Sequence, residues 1–257
     1  MATANKLIAL TGATISMTEA QLMMGGSDKV LDIPIPSFLV EHPKGLVLFD
    51  TGCAPQVAVD AEGYWGVATK FLKNIRYTKD QVVDQQVKLH GYKPADVKYV
   101  VVSHLHLDHS GGMQLFPQAQ FLIMKGELPY AYWPDRRARA AFILNDLLPT
   151  RSFDWKELAG DTDIFGDGSL MMLRTAGHTP GECSLQVRLK HESVVLTGDT
   201  IHIRPQLDTL AAMDSDYDIA EASASIKRLR DIRDRGEARL WISHAPEDWV
   251  ENQHIME

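Results

Sequence analysis

The sequence predicts an α/β chain: two mixed sheets packed face to face with helices outside, an αββα sandwich. Three observations predict it. Short apolar runs rich in β-branched residues recur along most of the chain. Helical stretches lie between them without the strict strand–helix–strand alternation of a doubly wound sheet. No repeat, low-complexity tract or long linker interrupts the pattern, so residues 1–257 read as one domain.

The expected strands run from Ile35 to Glu41, Leu46 to Asp50, Tyr99 to Ser103 and Gln120 to Met124. Four more run from Leu170 to Thr175, Ser184 to Leu189, Ser193 to Thr197 and Arg239 to Ser243. Three helices are expected. Thr78 to His90 opens on a Thr cap with Gln81 at the capping-box position and closes on Gly91. Pro134 to Leu148 is Arg-rich and ends before Pro149. Asp216 to Arg235 sets Ile219, Ala222, Ile226 and Leu229 on one stripe and ends at Gly236. The region Ala54 to Asn74 reads ambiguously.

Bulk properties narrow the function. The 257 residues are 45% hydrophobic and 23% charged, enough for a large core. Lys+Arg number 26 against 34 Asp+Glu, a net charge of −8. Nucleic acid or an anionic membrane would need a basic stripe, so neither is an expected partner. Two cysteines, Cys53 and Cys183, with no CxxC spacing, fit reduced thiols in a cytoplasmic protein. The apolar run Leu7-Ile8-Ala9-Leu10 is broken by Thr11, Gly12, Thr14 and Ser16, which argues against a signal-peptide core. No stretch approaches the ~20 apolar residues of a membrane span. A homodimer is left open.

The chemistry concentrates in Ser103-His104-Leu105-His106-Leu107-Asp108-His109. Four ligand-type side chains in six residues are costly to bury unless a cation collects them. Imidazole with carboxylate suits zinc first, with iron, manganese and cobalt as alternatives. Four apolar runs also end in ligand-type residues: His104, His178, Asp199 and His244. If these strands share a sheet edge, their ends converge. His104 and His106, two residues apart, grip one ion, and His178 completes that site. Asp108 and His109, where the chain turns toward Gly111-Gly112, reach a second ion with His244, and Asp199 bridges both. Two divalent ions about 3.5–4 Å apart fit a hydrolytic centre. A lone His at a strand end is ordinarily a polar loop residue, so His178 and His244 gain their role from the cluster. His42, His90, His191 and His254 receive none. Cys183 reads as a small buried thiol.

The run from His104 to His109 resembles the HxHxDH signature of the metallo-β-lactamase superfamily. Leu48-Phe49-Asp50-Thr51-Gly52 resembles its LxDTG element, and Thr175-Ala176-Gly177-His178-Thr179-Pro180-Gly181 its TPGHTPG loop. Thr197-Gly198-Asp199-Thr200 resembles its GD element and Ser243-His244 its last histidine. All five occur in the family's order. The resemblance implies the αββα fold, a dinuclear centre at one edge, and Asp50 behind the ligands.

Within the superfamily the chain is most similar to quorum-quenching N-acyl-homoserine lactonases. Length, the opening Ile33 to Val40 followed by His42-Pro43-Lys44-Gly45, and the late Ser225-Ile226-Lys227-Arg228-Leu229 carry this likeness. Two positions depart. His202 stands where many of these lactonases carry a Tyr three residues after the bridging Asp. Glu182 follows Pro180-Gly181 where a His often stands.

The reaction implied is attack of a metal-bridging hydroxide on the lactone carbonyl. Asp108 would pass a proton to the leaving alkoxide, and His202 would hydrogen-bond the substrate. Met23, Met24, Tyr64, Trp65 and Leu107 are expected to form an apolar mouth for the acyl chain. No GxSxG elbow competes for the nucleophile's role. Another lactonase or esterase, or a glyoxalase-II-like thioesterase, is the alternative. The thioesterase usually needs basic residues for glutathione carboxylates, and no Lys/Arg cluster stands near the motifs. Oxidoreductases of this fold need redox-active iron. A β-lactamase would require export, and a binding module would be expected to lose ligands.

Overall fold

A computed structural model describes residues 2–257, so Met1 lies outside the described residues. One sheet has seven strands in the order Ile255–Met256, Lys6–Leu10, Ser37–Glu41, Leu46–Phe49, Val97–Val101, Gln120–Met124, Asp154–Leu158. Its first three junctions are antiparallel and its last three parallel. The other large sheet orders Thr162–Asp163, Leu170–Arg174, Cys183–Arg188, Ser193–Leu196 and Arg239–Trp241. Only its final junction is parallel.

Side-chain alternation along these strands builds the layers. Leu7, Phe38, Val47, Phe49 and Val101 of the first sheet meet Met172, Leu185, Val194 and Trp241 of the second in one core. The alternate residues Ile8, Leu39, Leu48, Val100 and Phe121 face Val83 and Val87 of the outer helix Val83–Leu89. On the far side, Leu173, Val195 and Leu240 pack against Ile226, Leu229 and Ile232 of the helix Ile219–Asp234. This is the expected helix–sheet–sheet–helix order. A third, three-stranded sheet (Val30–Pro34, Thr14–Thr18, Lys73–Arg76) was not anticipated. It shares a fourth apolar cluster with Trp65 and Tyr77.

The expected helices fared differently. Asp218 caps Ile219–Asp234 by accepting the Glu221 amide at 2.9 Å, and Gly236 leaves it at φ +70°. The capping box at Thr78 and Gln81 forms, but it closes a 3₁₀ turn, Lys79–Gln81. Val82 then turns extended, and the helix restarts at Val83. Pro134 to Leu148 is not a helix. It breaks into the turn Arg139–Ala141 and the short helix Leu144–Leu147, with Phe142 and Ile143 extended between them. Tertiary demands override its helix propensity. The Ala141 carbonyl accepts the Leu107 amide at 2.9 Å, and the Arg137 guanidinium donates to carbonyls of the 214–217 segment. The unassigned Ala54 to Asn74 holds the kinked helix Val57–Trp65 and the 3₁₀ helix Gly66–Lys70. The N-terminal run Leu7 to Leu10 is a buried core strand.

Candidate metal centre

Strand direction explains the convergence of the ligand-type residues. Leu170–Arg174, Ser193–Leu196 and Arg239–Trp241 all run the same way, so His178, Asp199 and His244 leave one sheet edge. Leu46–Phe49 and Val97–Val101 are parallel neighbours in the first sheet, so Asp50 and His104 also leave a common edge. The Cys183 amide donates to the Ser103 carbonyl at 3.0 Å, which closes the two edges on each other. Glu127 completes the join by accepting the Leu105 amide at 2.9 Å and the Gly181 amide at 3.0 Å.

The ligand-type atoms fall into two groups, each within 4.8 Å: His104, His106, His178 and Asp199, then Asp108, His109 and His244. Asp199 lies between them. Its Oδ1 is 3.0 Å from His109 Nε2 and 2.9 Å from His244 Nε2. Its Oδ2 is 3.5 Å from His178 Nε2 and 3.7 Å from His104 Nε2. Asp108 Oδ2 stands 3.8 Å from His109 Nε2 and 3.9 Å from His244 Nε2.

Three observations show that these residues fit divalent cations. Ring nitrogens face one another, with His106 Nδ1 to His178 Nε2 at 3.0 Å and His109 Nε2 to His244 Nε2 at 3.3 Å. Buried Nε2 of His104 and of His106 have no hydrogen-bond partner among the described residues. Buried carboxylates also crowd behind the imidazoles. Such an arrangement is costly without cations. Burial and neighbouring imidazoles push His104 and His106 well below the usual histidine range. Burial would lower His109 too, but Asp199, Asp108 and Asp50 hold it well above that range. Burial would raise Asp199, yet His109, His244 and His202 hold it well below the carboxylate range.

Each of four imidazoles has a polar group behind it. His109 Nδ1 donates to Asp50 Oδ2 at 2.8 Å. Asp50 also accepts the Ser103 amide at 2.7 Å and the Ser103 hydroxyl at 2.8 Å. It sits at φ +58°, a left-handed conformation that Asp tolerates and that turns its carboxylate back under the ligands. His178 Nδ1 donates to Asp216 Oδ1 at 2.7 Å, and His244 Nδ1 to the Pro34 carbonyl at 2.8 Å. His104 Nδ1 lies 3.0 Å from Glu182 Oε2, and Glu182 Oε1 accepts the Asp199 amide at 3.0 Å. Gly198, at φ +56°, permits this contact, since a Cβ there would lie 2.4 Å from Glu182 Oε1. Asp50 was expected from the sequence. Glu182 was visible only as a departure from a motif. Glu127 and Asp216 carried no sequence signal.

A cleft of about 420 Å³ opens over the cluster. His106, Asp108, His178, Asp199, His202 and His244 form its floor. Met17, Leu22, Ile33, Phe71, Leu72 and Met213 form apolar walls. Of the residues expected at the substrate mouth, Leu107 and His202 line it. Met23, Met24, Tyr64 and Trp65 do not. Trp65 is 2% exposed and belongs to the core beside the small sheet, with Met23. The Tyr64 hydroxyl donates to Asp146 Oδ1 at 2.6 Å, and burial pushes Asp146 up to about 7. His202 is buried, kept below the usual histidine range chiefly by that burial, and its Nε2 donates to Asp199 Oδ2 at 3.2 Å.

The family model for the metallo-beta-lactamase superfamily matches residues 31–244. The chain belongs to the metallo-β-lactamase superfamily. It is 34% identical to N-acyl homoserine lactonase AttM of Rhizobium radiobacter over 251 residues, 95% of each chain. It is 28% identical to N-acyl homoserine lactonase AiiA of Bacillus thuringiensis subsp. kurstaki over 218 residues, 84% of this chain and 83% of that one. Among solved structures, an N-acyl homoserine lactone hydrolase with N-hexanoyl-L-homoserine bound at its metal centre superposes with a TM-score of 0.85. That likeness covers 98% of each chain at 24% identity. AidC, a dizinc quorum-quenching lactonase, gives 0.69 at 20% identity, covering 96% of this chain and 90% of its own. At those identities the superpositions speak for the fold alone.

Proposed function

We propose that this superfamily member is a metal-dependent hydrolase that opens the lactone ring of N-acyl homoserine lactones. One observation carries the reading: seven ligand-type side chains cluster beneath a cleft with largely apolar walls, and five of them (His106, Asp108, His178, Asp199 and His244) line its floor. A polar ring and ester would sit on the floor, and an acyl chain along the walls. The curated relatives that share about a third of the sequence across nearly its whole length bear the same lactonase name. No helix among the described residues is long and apolar enough to cross a membrane. Free, buried Cys53 and Cys183 fit a cytoplasmic setting. Residues 1–257 would act as one domain.

His104, His106, His178 and Asp199 would hold one divalent ion, and Asp108, His109, His244 and Asp199 another, zinc being the first choice. When bound, such ions polarise an ester carbonyl and make water acidic near neutral pH. The chain's own residues supply the rest. Asp108, partly exposed on the floor, would hand a proton to the departing ring oxygen. His202 borders the lactone ring, anchored by its bond to Asp199. The apolar walls exclude water and orient the substrate.

Proton release on adding short- and long-chain homoserine lactones tests this, with S-lactoylglutathione and an aryl ester alongside. Rapid release with the lactones is expected. Thioester cleavage without lactone cleavage would overturn the reading in favour of a thioesterase.

A further inference from the structure

The segment from Met213 to Tyr217 has two faces. Met213, Asp214 and Ser215 line the cleft on one side, and Asp216 turns inward on the other. The Asp216 carboxylate is buried and fully used. Oδ1 accepts His178 Nδ1–H at 2.7 Å, and Oδ2 accepts the Met213 amide at 2.8 Å. The backbone is zipped to the same loop. The Tyr217 amide donates to the His178 carbonyl at 3.1 Å, and the Asp218 amide to the Gly177 carbonyl at 3.0 Å. Gly177 makes this approach feasible: a Cβ there would lie 2.2 Å from the Ala222 amide nitrogen.

Arg137 reaches this segment from the stretch just before the turn Arg139–Ala141. Its Nη2 donates to the Asp216 carbonyl at 2.7 Å and the Tyr217 carbonyl at 3.2 Å, and its Nη1 to the Asp214 carbonyl at 3.4 Å. A guanidinium fork suits several carbonyls at once, where an ammonium would satisfy fewer. Arg137 itself lines the cleft. One continuous strap therefore runs from the cleft wall through Arg137 and Asp216 to His178.

We propose that Asp216 is the positioning residue for His178, and that Arg137 holds Asp216 in place, so that ion retention depends on the cleft wall. The proposal rests on the metal-centre reading above. A carboxylate accepting Nδ1–H fixes the tautomer and leaves the Nε2 lone pair free for an ion. It also stops the ring from turning, because rotation would strand a buried carboxylate. The strap ties that constraint to residues a substrate would touch.

The test measures zinc binding, not turnover. Metal-free wild type, Asp216→Asn and Arg137→Gln are titrated with Zn²⁺ against a chromophoric chelator, and cobalt absorption spectra are recorded. Wild type should bind two equivalents. Asp216→Asn should weaken one of them about 10–100-fold and shift the cobalt spectrum. Arg137→Gln should move both readouts the same way by less. In a His178→Ala background, Asp216→Asn should change zinc affinity by less than about twofold, because its route of action is gone. Two equivalents held equally well by wild type and both variants would overturn the proposal and leave the metal reading standing. An undiminished further loss in the His178→Ala background would overturn it as well. Wild type that binds no zinc would overturn both. If Asp216→Asn does not fold, Asp216→Glu and Arg137→Gln carry the test on the same criteria.

Discussion

The ion cluster and the cleft above it are built by opposite rules. The cluster draws its side chains from the ends of rigid strands that share an edge, and buried polar groups lie behind four of its five imidazoles. The cleft draws its walls from the small three-stranded sheet and from short pieces around it: the one-turn helix ending at Leu22, the 3₁₀ segment ending near Phe71, and the broken stretch around Ala141. Chemistry specifies residue type in the first region, so a substitution there changes what the site can do. In the second, any apolar side chain of suitable size serves, so substitution tunes fit. This contrast teaches where large and small effects should fall.

The sharpest way to break the comparison is at Asp108. Asp108→Asn keeps size and hydrogen-bonding capacity while removing the charge. Lactone turnover should fall by about 10²–10⁴-fold, the range of a lost proton-transfer group. The melting curve of the metal-free protein should barely move, since this side chain is partly exposed on the cleft floor. Full retained activity would remove Asp108 from the mechanism.

Trp65 comes next, and it separates core from cleft. It is 2% exposed in the cluster beside the small sheet. Trp65→Ala should cost about 3–5 kcal/mol of folding stability through the cavity it leaves, read by chemical denaturation. The KM of the surviving folded enzyme should stay near wild type. A large KM change at intact stability would put Trp65 back in the substrate mouth.

These two residues also mark what could be read from sequence. The clustered side chains were legible because a charge-dense run such as His104 to His109 is hard to bury without a cation. Strand ends supplied the partners, and the edge convergence follows from parallel running of Ser193–Leu196 and Arg239–Trp241. The cleft was not legible. Met17, Leu22, Ile33 and Leu72 look like any core residues, and Tyr64 and Trp65 look equally suited to a mouth. Only tertiary placement tells them apart. The Arg-rich stretch from Pro134 failed for a related reason: its helix propensity loses to the bonds that Ala141 and Arg137 make to Leu107 and to the 214–217 segment. Strands such as Asp154–Leu158 escaped notice because they alternate weakly at an edge.

Glu182 sharpens the comparison within the cluster itself. Its Oε1 accepts the Asp199 amide at 3.0 Å and its Oε2 lies 3.0 Å from His104 Nδ1, so one buried carboxylate sits beside ligand-type residues that follow two strands. Glu182→Gln retains shape and removes charge. Zinc affinity should drop about 10–100-fold, measured by chelator competition, with the fold retained in circular dichroism. An unchanged affinity would mean that the carboxylate serves only packing.

The smallest effect belongs to the cleft wall. Phe71 is 60% exposed and borders the cleft at the end of the 3₁₀ segment, so little of its ring is committed to the core. Burying part of that ring against an acyl chain would contribute about 1 kcal/mol, less than a fully buried side chain provides. Phe71→Ala should therefore raise KM for long-chain homoserine lactones about five-fold, leave short-chain substrates nearly unaffected, and leave kcat and zinc content unchanged. The chain-length dependence is the decisive part of the measurement. Equal losses on short and long chains would mean that Phe71 supports the shape of the floor, and the line drawn between a chemically specified cluster and a permissive cleft would have to move outward past the 3₁₀ segment.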